Sequence, residues 1–173
     1  GAAVVVAVDV GHDQLAPEIA ADEGVRVVEG FNLRYMTPQA LADAAGMSVD
    51  PGIITGDLSF ISLHHVLPAV ASVASETTDV ILLIKPQFEV GRTGVKEGLV
   101  TDPGKREDAV AGVLWAAWDA GLATHGLMPS PIVGTHGNAE FLVLLRKIDG
   151  DPVTAEGNPT QWLSTVHTLA GTR

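Results

Sequence analysis

The sequence contains no cysteine among its 173 residues, and it has no long hydrophobic run. The first absence excludes disulfide bonds and thiolate metal sites and favours a reducing compartment. The second argues against a membrane-spanning helix, which needs about 20 consecutive apolar residues. Residues 1–8 also lack the basic start and the cleavage pattern of a signal peptide. We therefore expect a cytoplasmic protein.

Positively charged residues are scarce. The chain has 10 Lys and Arg against 21 Asp and Glu, which gives a formal net charge of −11. This balance argues against broad, non-specific nucleic-acid binding by this chain alone, because phosphate contacts need Lys and Arg. It leaves room for a local basic patch or for a separate basic domain. The hydrophobic fraction of 46% indicates one globular domain with a substantial core.

Strands and helices are predicted to alternate along the chain. Apolar runs and turn residues predict strands over about 1–8, 25–29, 53–57, 80–85, 122–127 and 139–146, and helices over about 14–21, 37–45, 63–75, 101–120 and 160–169. This alternation is typical of an α/β fold with a doubly wound, mostly parallel sheet, and the last strand would run antiparallel to the others. We expect Trp115 and Trp118 to join the buried face of the helix over 101–120.

The fourth predicted strand ends in a lysine. Five aliphatic residues at 80–84 precede Lys85, and Pro86 stops the strand because it has no N–H group. An apolar run of this length predicts a strand buried on both faces. Lys85 would then lie at the carboxyl end of a central strand, where ligands bind in open α/β sheets. The alternative is a lysine whose stem packs while its ammonium group reaches water.

Two acidic residues are expected beside Lys85. Asp57 ends the preceding strand, and Glu140 begins the last strand, whose start lies at the carboxyl ends of the others if it runs antiparallel. Burial favours a neutral amine and carboxylates favour an ammonium, so such a cluster can yield an amine that acts as a general base or orients a hydroxyl group. The alternative is a buried ion-pair network that only joins strand ends.

Several other positions admit either a ligand or a structural role. Asp9 ends the first strand of this chain. An acid at the end of the second strand of a dinucleotide-type fold commonly binds a ribose diol, but Asp9 could also form a turn or cap the next helix. Asn32 could face a ligand or close a turn. The glycine-rich segment 91–98 could bring Arg92 and Lys96 to a polyanion, or it could be a mobile surface loop. The six histidines show no ligand spacing with the acids, so no metal site is expected.

Four segments together resemble one family. They are VAVDVG at 6–11, DLSFISL at 57–63, KPQFEVG at 85–91 and GNAEF at 137–141. In residue type, order and spacing they are similar to the TlyA family, whose members are often labelled haemolysins and are related to the FtsJ/RrmJ-type enzymes. Members of this family are S-adenosylmethionine-dependent ribosomal RNA 2′-O-methyltransferases.

The resemblance implies a Rossmann-like methyltransferase domain over residues 1–148 and an extension with a short helix over residues 149–173. The family uses a Lys-Asp-Lys-Glu tetrad, and its last three members match Asp57, Lys85 and Glu140. Lys85 would activate the ribose 2′-hydroxyl, while the two acids position and tune the lysine.

The resemblance also implies the ligands. S-adenosylmethionine would be the methyl donor, no metal would be needed, and ribosomal RNA or a ribosomal subunit would be the partner, with no membrane involved. Arg92 and Lys96 would then contact the RNA. The implied donor-binding residues are Asp9, Val10, Gly11, Asn32, Asp57 and Leu58.

The chain departs from the family pattern at its start. The family has an S4-type RNA-binding domain, then the first tetrad lysine, then a glycine-rich donor motif of the type GASTGGFT on the first strand. All of these would lie before Gly1. We therefore expect the sheet to lack the strand between those that end at Asp9 and Asp57, and the 173-residue chain to be weak or inactive alone.

Three other functions fit parts of the pattern. A catalytically inactive RNA-binding or interaction module is consistent with the missing lysine and donor motif. A membrane-active haemolysin is suggested by the family label, but no basic amphipathic helix is present and the net charge is −11. A nicotinamide-dependent Rossmann enzyme is supported only by Asp9, without a glycine fingerprint.

Overall fold

The computed structural model describes residues 1–91, 95–134 and 137–171. Packing divides the chain into two compact units, Gly1–Asp50 and Pro51–Arg173, which are called the first and the second unit below. Within the described part of the chain, no helix is both long enough and apolar enough to cross a membrane.

A two-stranded parallel sheet forms the centre of the first unit. Strand β1 covers Val5–Val8 and strand β2 covers Val25–Val28, and Val8 lies opposite Val28. The carboxyl ends of the two strands are therefore adjacent. Val28 is buried, whereas the other side chains of this sheet are half-buried or exposed.

Short helices follow each strand of the first unit. Helix α1 covers only Pro17–Ala20, because proline disfavours helical geometry in the residue before it and so delays the start predicted at residue 14. A 3₁₀ turn at Leu33–Tyr35 precedes helix α2, Pro38–Ala45. The Thr37 hydroxyl accepts a backbone N–H of the first turn of α2, as expected of an N-cap before proline.

A four-stranded sheet forms the centre of the second unit. Its strands are β3 (Ile53–Gly56), β4 (Asp79–Ile84), β5 (Leu122–Pro129) and β6 (Phe141–Lys147). Their order across the sheet is β3-β4-β6-β5. β3 and β4 are parallel, and β6 runs antiparallel to both β4 and β5. The predicted α/β class and the antiparallel direction of the last strand are confirmed.

The described residues of the second unit form four α-helices. They are α3 (Leu67–Val73), α4 (Pro86–Glu89), α5 (Pro103–Asp119) and α6 (Leu163–Ala170). The helix predicted over 63–75 is divided, because a 3₁₀ turn at Leu63–His65 precedes α3. Pro86 both ends β4 and starts α4, so the chain turns directly from strand to helix after Lys85.

The core of the second unit lies on one face of β4. Its side chains alternate: Val80, Leu82 and Ile84 are buried, whereas Ile81 and Leu83 are half-buried. The prediction of burial on both faces is therefore wrong for the second face. The core residues that share this burial, each at most 1% exposed, include Val66, Leu67, Val80, Leu82, Ile84, Val110, Val113, Leu114, Leu122, Val143, Leu145 and Val166.

Helix α5 packs through the stripe that its sequence predicts. Val110, Val113, Leu114 and Ala117 are each 0% exposed. The indole of Trp115 does not join this face: the residue is 40% exposed, so the prediction that it belongs to the core is wrong. The apolar face of α5 is narrower than its composition indicates.

The C-terminal segment, residues 149–171, is part of the second unit and packs against β5 and α5. The Thr124 backbone N–H donates to the Gly157 carbonyl (3.0 Å), and a Cβ on Gly157 would lie 2.6 Å from the Thr124 carbonyl oxygen. Gly157 also has a φ of 80°, in the left-handed region. Val166 and Ala170 of α6 are 0% exposed. The predicted domain boundary after residue 148 stays a prediction.

Candidate active site

Asp57 and Lys85 meet at the carboxyl end of the parallel strand pair in the second unit. Each residue directly follows its strand, and Gly56 lies opposite Leu82 in the register. The Lys85 Nζ is 2.6 Å from Asp57 Oδ1 and donates a hydrogen bond of 3.0 Å to Ser59 Oγ. The Lys85 side chain is 13% exposed and that of Asp57 is 72% exposed. The pair therefore joins a largely enclosed amine to a solvated carboxylate.

Glu140 lies at the same sheet edge because β6 is antiparallel. Phe141 pairs with Ile84, so the residue before Phe141 is opposite the residue after Ile84, which is Lys85. Glu140 is only 9% exposed. Its Oε1 accepts a hydrogen bond of 2.9 Å from Gln87 Nε2.

One cleft brings these residues together. It has a volume of about 390 Å³ and is lined by Asp57, Leu83, Lys85, Ser130, Pro131, Ile132, Val133, Gly134, Glu140 and Leu142. Three of its lining residues are ionisable, and Leu83 and Leu142 supply apolar wall. The cleft thus contains one amine and two carboxylates beside two half-buried leucine side chains.

Helix α4 also carries Glu89, whose carboxylate makes two more hydrogen bonds. Besides the bond from Gln87, the buried Glu89 carboxylate accepts hydrogen bonds from Ser62 Oγ (2.6 Å) and from the Leu63 backbone N–H (2.9 Å). The Glu89 side chain is 2% exposed. This carboxylate ties the segment after Asp57 to the helix that follows Lys85.

Phe60 is a feature of this segment that sequence patterns did not reveal. It is 92% exposed, and its φ of 62° is in the left-handed region, which residues other than glycine rarely adopt. Its ring centroid is 5.3 Å from that of Phe88 in α4. Leu58, predicted to contact the donor, is half-buried. Residue type alone gives no signal for this exposure, because aromatic side chains are mostly buried.

In the first unit, Asp9 follows β1 and shapes the next turn. Its backbone N–H donates to the Val28 carbonyl (2.9 Å), and its Oδ1 accepts a hydrogen bond of 2.6 Å from the Gly11 N–H. Val10 lies between them and is 68% exposed. The turn that was one alternative for Asp9 is present, and no hydrogen bond to Asp9 Oδ2 occurs among the described residues.

Asn32 lies at the carboxyl end of the neighbouring strand. The Phe31 N–H donates to the Asp9 carbonyl (3.0 Å), which brings the residue after Phe31 to the same end of the sheet as Asp9. The Asn32 Oδ1 accepts from the Arg34 N–H (3.1 Å) and caps the 3₁₀ turn. The side chain is exposed. Asn32 therefore caps a turn, which is the structural alternative predicted for it.

Glu29 holds the loop after Asp9. Its two carboxylate oxygens accept backbone N–H groups of Gln14 and Asp13, both at 3.0 Å. These bonds, first that from Gln14 and then that from Asp13, lower the pKa of Glu29 below its ordinary value of 4.5. Asp13 has a φ of 56°, so the two bonds also hold a backbone conformation that is otherwise unfavourable.

Arg92 and Lys96 are the two cations predicted to contact RNA. Arg92 lies outside the described residues. Lys96 is exposed, and its backbone forms a two-way antiparallel bridge with Leu99. Among residues 1–91, 95–134 and 137–171, no group of three or more His, Cys, Asp or Glu side chains is placed to hold a metal ion.

Comparison with known proteins identifies the family. A model of the FtsJ-like methyltransferase matches residues 1–147. The "16S/23S rRNA (cytidine-2′-O)-methyltransferase TlyA" of Mycobacterium tuberculosis is 42% identical over 158 residues, which are 91% of this chain and 57% of that protein. "Hemolysin A" of Brachyspira hyodysenteriae is 34% identical over 82% of this chain and 58% of its own length.

A solved structure agrees with this match. A Lactococcus lactis protein that carries a hemolysin name superposes with a TM-score of 0.81 at 39% identity, over 95% of this chain and 77% of that one. The chain spans little more than half the length of the M. tuberculosis relative. By sequence and by structure, the chain belongs to the FtsJ-like methyltransferase family, among relatives that are named as rRNA 2′-O-methyltransferases.

Proposed function

We propose that this chain is the methyl-transferring part of an rRNA 2′-O-methyltransferase that uses S-adenosylmethionine. The observation that carries the proposal is the cleft in which Lys85 lies between Asp57 and the buried Glu140. An enclosed amine with two carboxylates suits the activation of a hydroxyl group. The M. tuberculosis relative is named as an rRNA (cytidine-2′-O)-methyltransferase. The location we propose is the cytoplasm.

Lys85 is proposed to act on the ribose 2′-hydroxyl. The Asp57 and Ser59 contacts hold its Nζ at 2.6 Å and 3.0 Å, so the amine is oriented before substrate arrives. It would hydrogen-bond to the hydroxyl oxygen and stabilise the negative charge that develops there. As the O–CH₃ bond forms, the S–CH₃ bond of the donor would break, the sulfur would leave as a neutral thioether, and the hydroxyl proton would pass to water. Glu140 would add a negative charge to the cleft and help to direct the hydrogen bond from Lys85 to the 2′-hydroxyl oxygen.

The residues at the strand ends fit an adenosyl donor in residue type. Asp9 offers a carboxylate with Oδ2 available beside the exposed Val10 and the Gly11 turn, and such an acid suits a ribose diol. Asn32 offers a side-chain amide at the same sheet end. In the second unit, Asp57 and Leu58 follow β3. The donor would supply a methyl group on a positively charged sulfur, which the 2′-oxygen accepts.

RNA contact is proposed to use few cations and one aromatic ring. Lys96 is exposed, and Arg92 belongs to the same predicted loop. Phe60 presents an almost fully exposed ring three residues after Asp57, and aromatic rings stack with unpaired RNA bases. With a net charge of −11, most of the affinity for rRNA would come from outside this chain.

Substitution of Lys85 tests the proposal. In the natural full-length protein, Lys85→Met should reduce transfer of radiolabelled methyl groups from S-adenosylmethionine to rRNA by about 10²-fold or more. Lys105→Met, which removes an exposed lysine of α5, should leave the rate unchanged. Mass spectrometry of digested rRNA should find the label on ribose 2′-oxygen. Wild-type rates in Lys85→Met, or label on a base, would refute the proposal.

The isolated chain provides a second test. We expect residues 1–173 to bind S-adenosylmethionine weakly by calorimetry and to show little or no 2′-O-methylation, whereas the full-length protein should show both. Measurable methylation by the purified 173-residue chain would contradict this expectation. Leakage from liposomes at physiological salt, if caused by the wild-type chain, would instead favour a membrane-active protein.

A further inference from the structure

The position of the Glu140 carboxylate is fixed from two sides. On one side, Gln87 Nε2 donates to Oε1 at 2.9 Å. On the other, the carboxylate lies against Gly134: a Cβ added there would be 2.5 Å from Glu140 Cδ and closer still to Oε1. Real Cβ atoms do not approach other atoms this closely, so the carboxylate occupies space that only glycine leaves open.

The Gly134 backbone is itself anchored. Its N–H donates to the Asn138 carbonyl (3.0 Å), and the Ser130 N–H donates to the Glu140 carbonyl (2.8 Å). These two hydrogen bonds therefore hold Gly134 and Ser130 against the segment 138–140. Gly134 does not have a left-handed φ, so the requirement for glycine comes from the neighbouring carboxylate and not from backbone strain.

The Gln87 amide is held as firmly as the carboxylate. Gln87 is two residues from Lys85, on the α4 turn that Pro86 starts. Its Oε1 is buried and has no hydrogen-bond partner among the described residues. Rotating the amide by half a turn would place this oxygen against a carboxylate oxygen, which is repulsive. The bond to Glu140 therefore determines the amide orientation, and the amide determines where the carboxylate lies.

We infer that Gln87 is a positioning residue for the methyl transfer proposed above, that it acts by holding the Glu140 carboxylate against Gly134 beside Lys85, and that Gly134 is required for the same purpose. This inference rests on the proposed function. Gln87 is not itself a catalytic residue, because its polar atoms are directed to Glu140 or buried. Its hydrogen bond connects the helix that follows Lys85 to Glu140, the residue before β6.

Kinetics of the natural full-length protein test the inference. Gln87→Met keeps the length of the side chain and removes the amide, so kcat should fall roughly tenfold to hundredfold while KM for S-adenosylmethionine changes little. Gln39→Met is the matched control, because Gln39 Nε2 donates to Asp43 Oδ1 at 2.7 Å in an exposed pair on α2. The control should retain the wild-type kcat.

A double-substitution cycle separates positioning from general damage. If Gln87 acts through Glu140, adding Gln87→Met to a Glu140→Ala protein should cause no further loss of kcat. Losses that multiply in the double variant would overturn the inference. Gly134→Ala should lower kcat in the same way, whereas Gly52→Ala, at a glycine with nothing near its added Cβ and no left-handed φ, should not.

A measurement without catalysis keeps this inference distinct from the proposed function. In ¹⁵N-labelled 173-residue chain, the side-chain NH₂ resonances of Gln87 should shift on Glu140→Ala, while those of Gln39 should not. If they do not move, Gln87 does not contact Glu140 in solution and the inference fails. If they move but the wild-type protein methylates no rRNA, the contact stands as observed and the proposed reaction is what fails.

Discussion

The two compact units differ in how much of their sheets they bury. In the first unit Val5 of β1 is 48% exposed and Val27 of β2 is 38% exposed. In the second unit Val80 of β4 and Val143 of β6 are 0% exposed. A two-stranded sheet is marginal in water, whereas a four-stranded sheet covered by helices can be independently stable. The catalytic candidates therefore lie on the well-packed unit, and the candidate donor acid lies on the less packed one.

Truncating one strand side chain in each unit should give the largest difference. Leu82 is 1% exposed, and Leu82→Ala should lower the free energy of unfolding by about 2–5 kcal/mol through lost burial and a cavity. Val5→Ala in the exposed β1 position should cost less than about 1 kcal/mol. Urea unfolding followed by circular dichroism measures both. Equal losses would show that the two units depend on burial to the same degree.

Amide hydrogen exchange should show the next largest difference. Backbone N–H groups of β4 and β6 should exchange at least about tenfold more slowly than those of β1 and β2, which corresponds to about 1.4 kcal/mol in local opening free energy. The measurement is made on the intact chain by NMR or mass spectrometry. Equal protection in the two sheets would mean that they open as one cooperative unit.

The smallest expected effect concerns Glu29. Its lowered pKa means that the charged form contributes stability above pH 4.5, its ordinary value, and that this contribution is lost as the pH falls through the lowered pKa. Amide shifts of Asp13 and Gln14 should therefore titrate below pH 4.5. Glu29→Gln should reduce the thermal stability of the first unit at neutral pH and not at acidic pH.

Glu23→Gln is the control for this prediction, because the Glu23 side chain is exposed and lies outside the loop that Glu29 holds. It should leave the Asp13 and Gln14 titrations unchanged. A titration midpoint at or above pH 4.5 in the wild-type chain would mean that the two backbone hydrogen bonds do not favour the charged carboxylate.

The sequence predicted the strand ends well because periodicity and proline determine them. The apolar run before Pro86 placed Lys85 at the end of β4, and the antiparallel direction of β6 brings Glu140 to the same edge. Which role each residue plays stays a prediction. The start of α1 was predicted too early, since Pro17 restricts the residue before it, and that local steric effect competes with the helical pattern.

Contacts between side chains distant in sequence could not be predicted in this way. Gln87 and Glu140 are 53 positions apart, and no periodic pattern links an amide to a particular carboxylate. The left-handed φ of Phe60 depends on the contacts around it, and any non-glycine residue would be expected to avoid it. Trp115 was assigned to the core because it adjoins the apolar stripe of α5, but burial ends at that stripe and the residue is 40% exposed.

The contact between Thr124 and Gly157 bears on whether one molecule of the protein associates with another. β5 is the last strand on its side of the sheet, and an uncovered edge strand can pair with the same strand of another molecule. Because Gly157 accepts the Thr124 N–H, and only a residue without Cβ can come so close, the C-terminal segment occupies part of that edge. A chain shortened after residue 150 would keep Asp57, Lys85 and Glu140 and would be more prone to self-association.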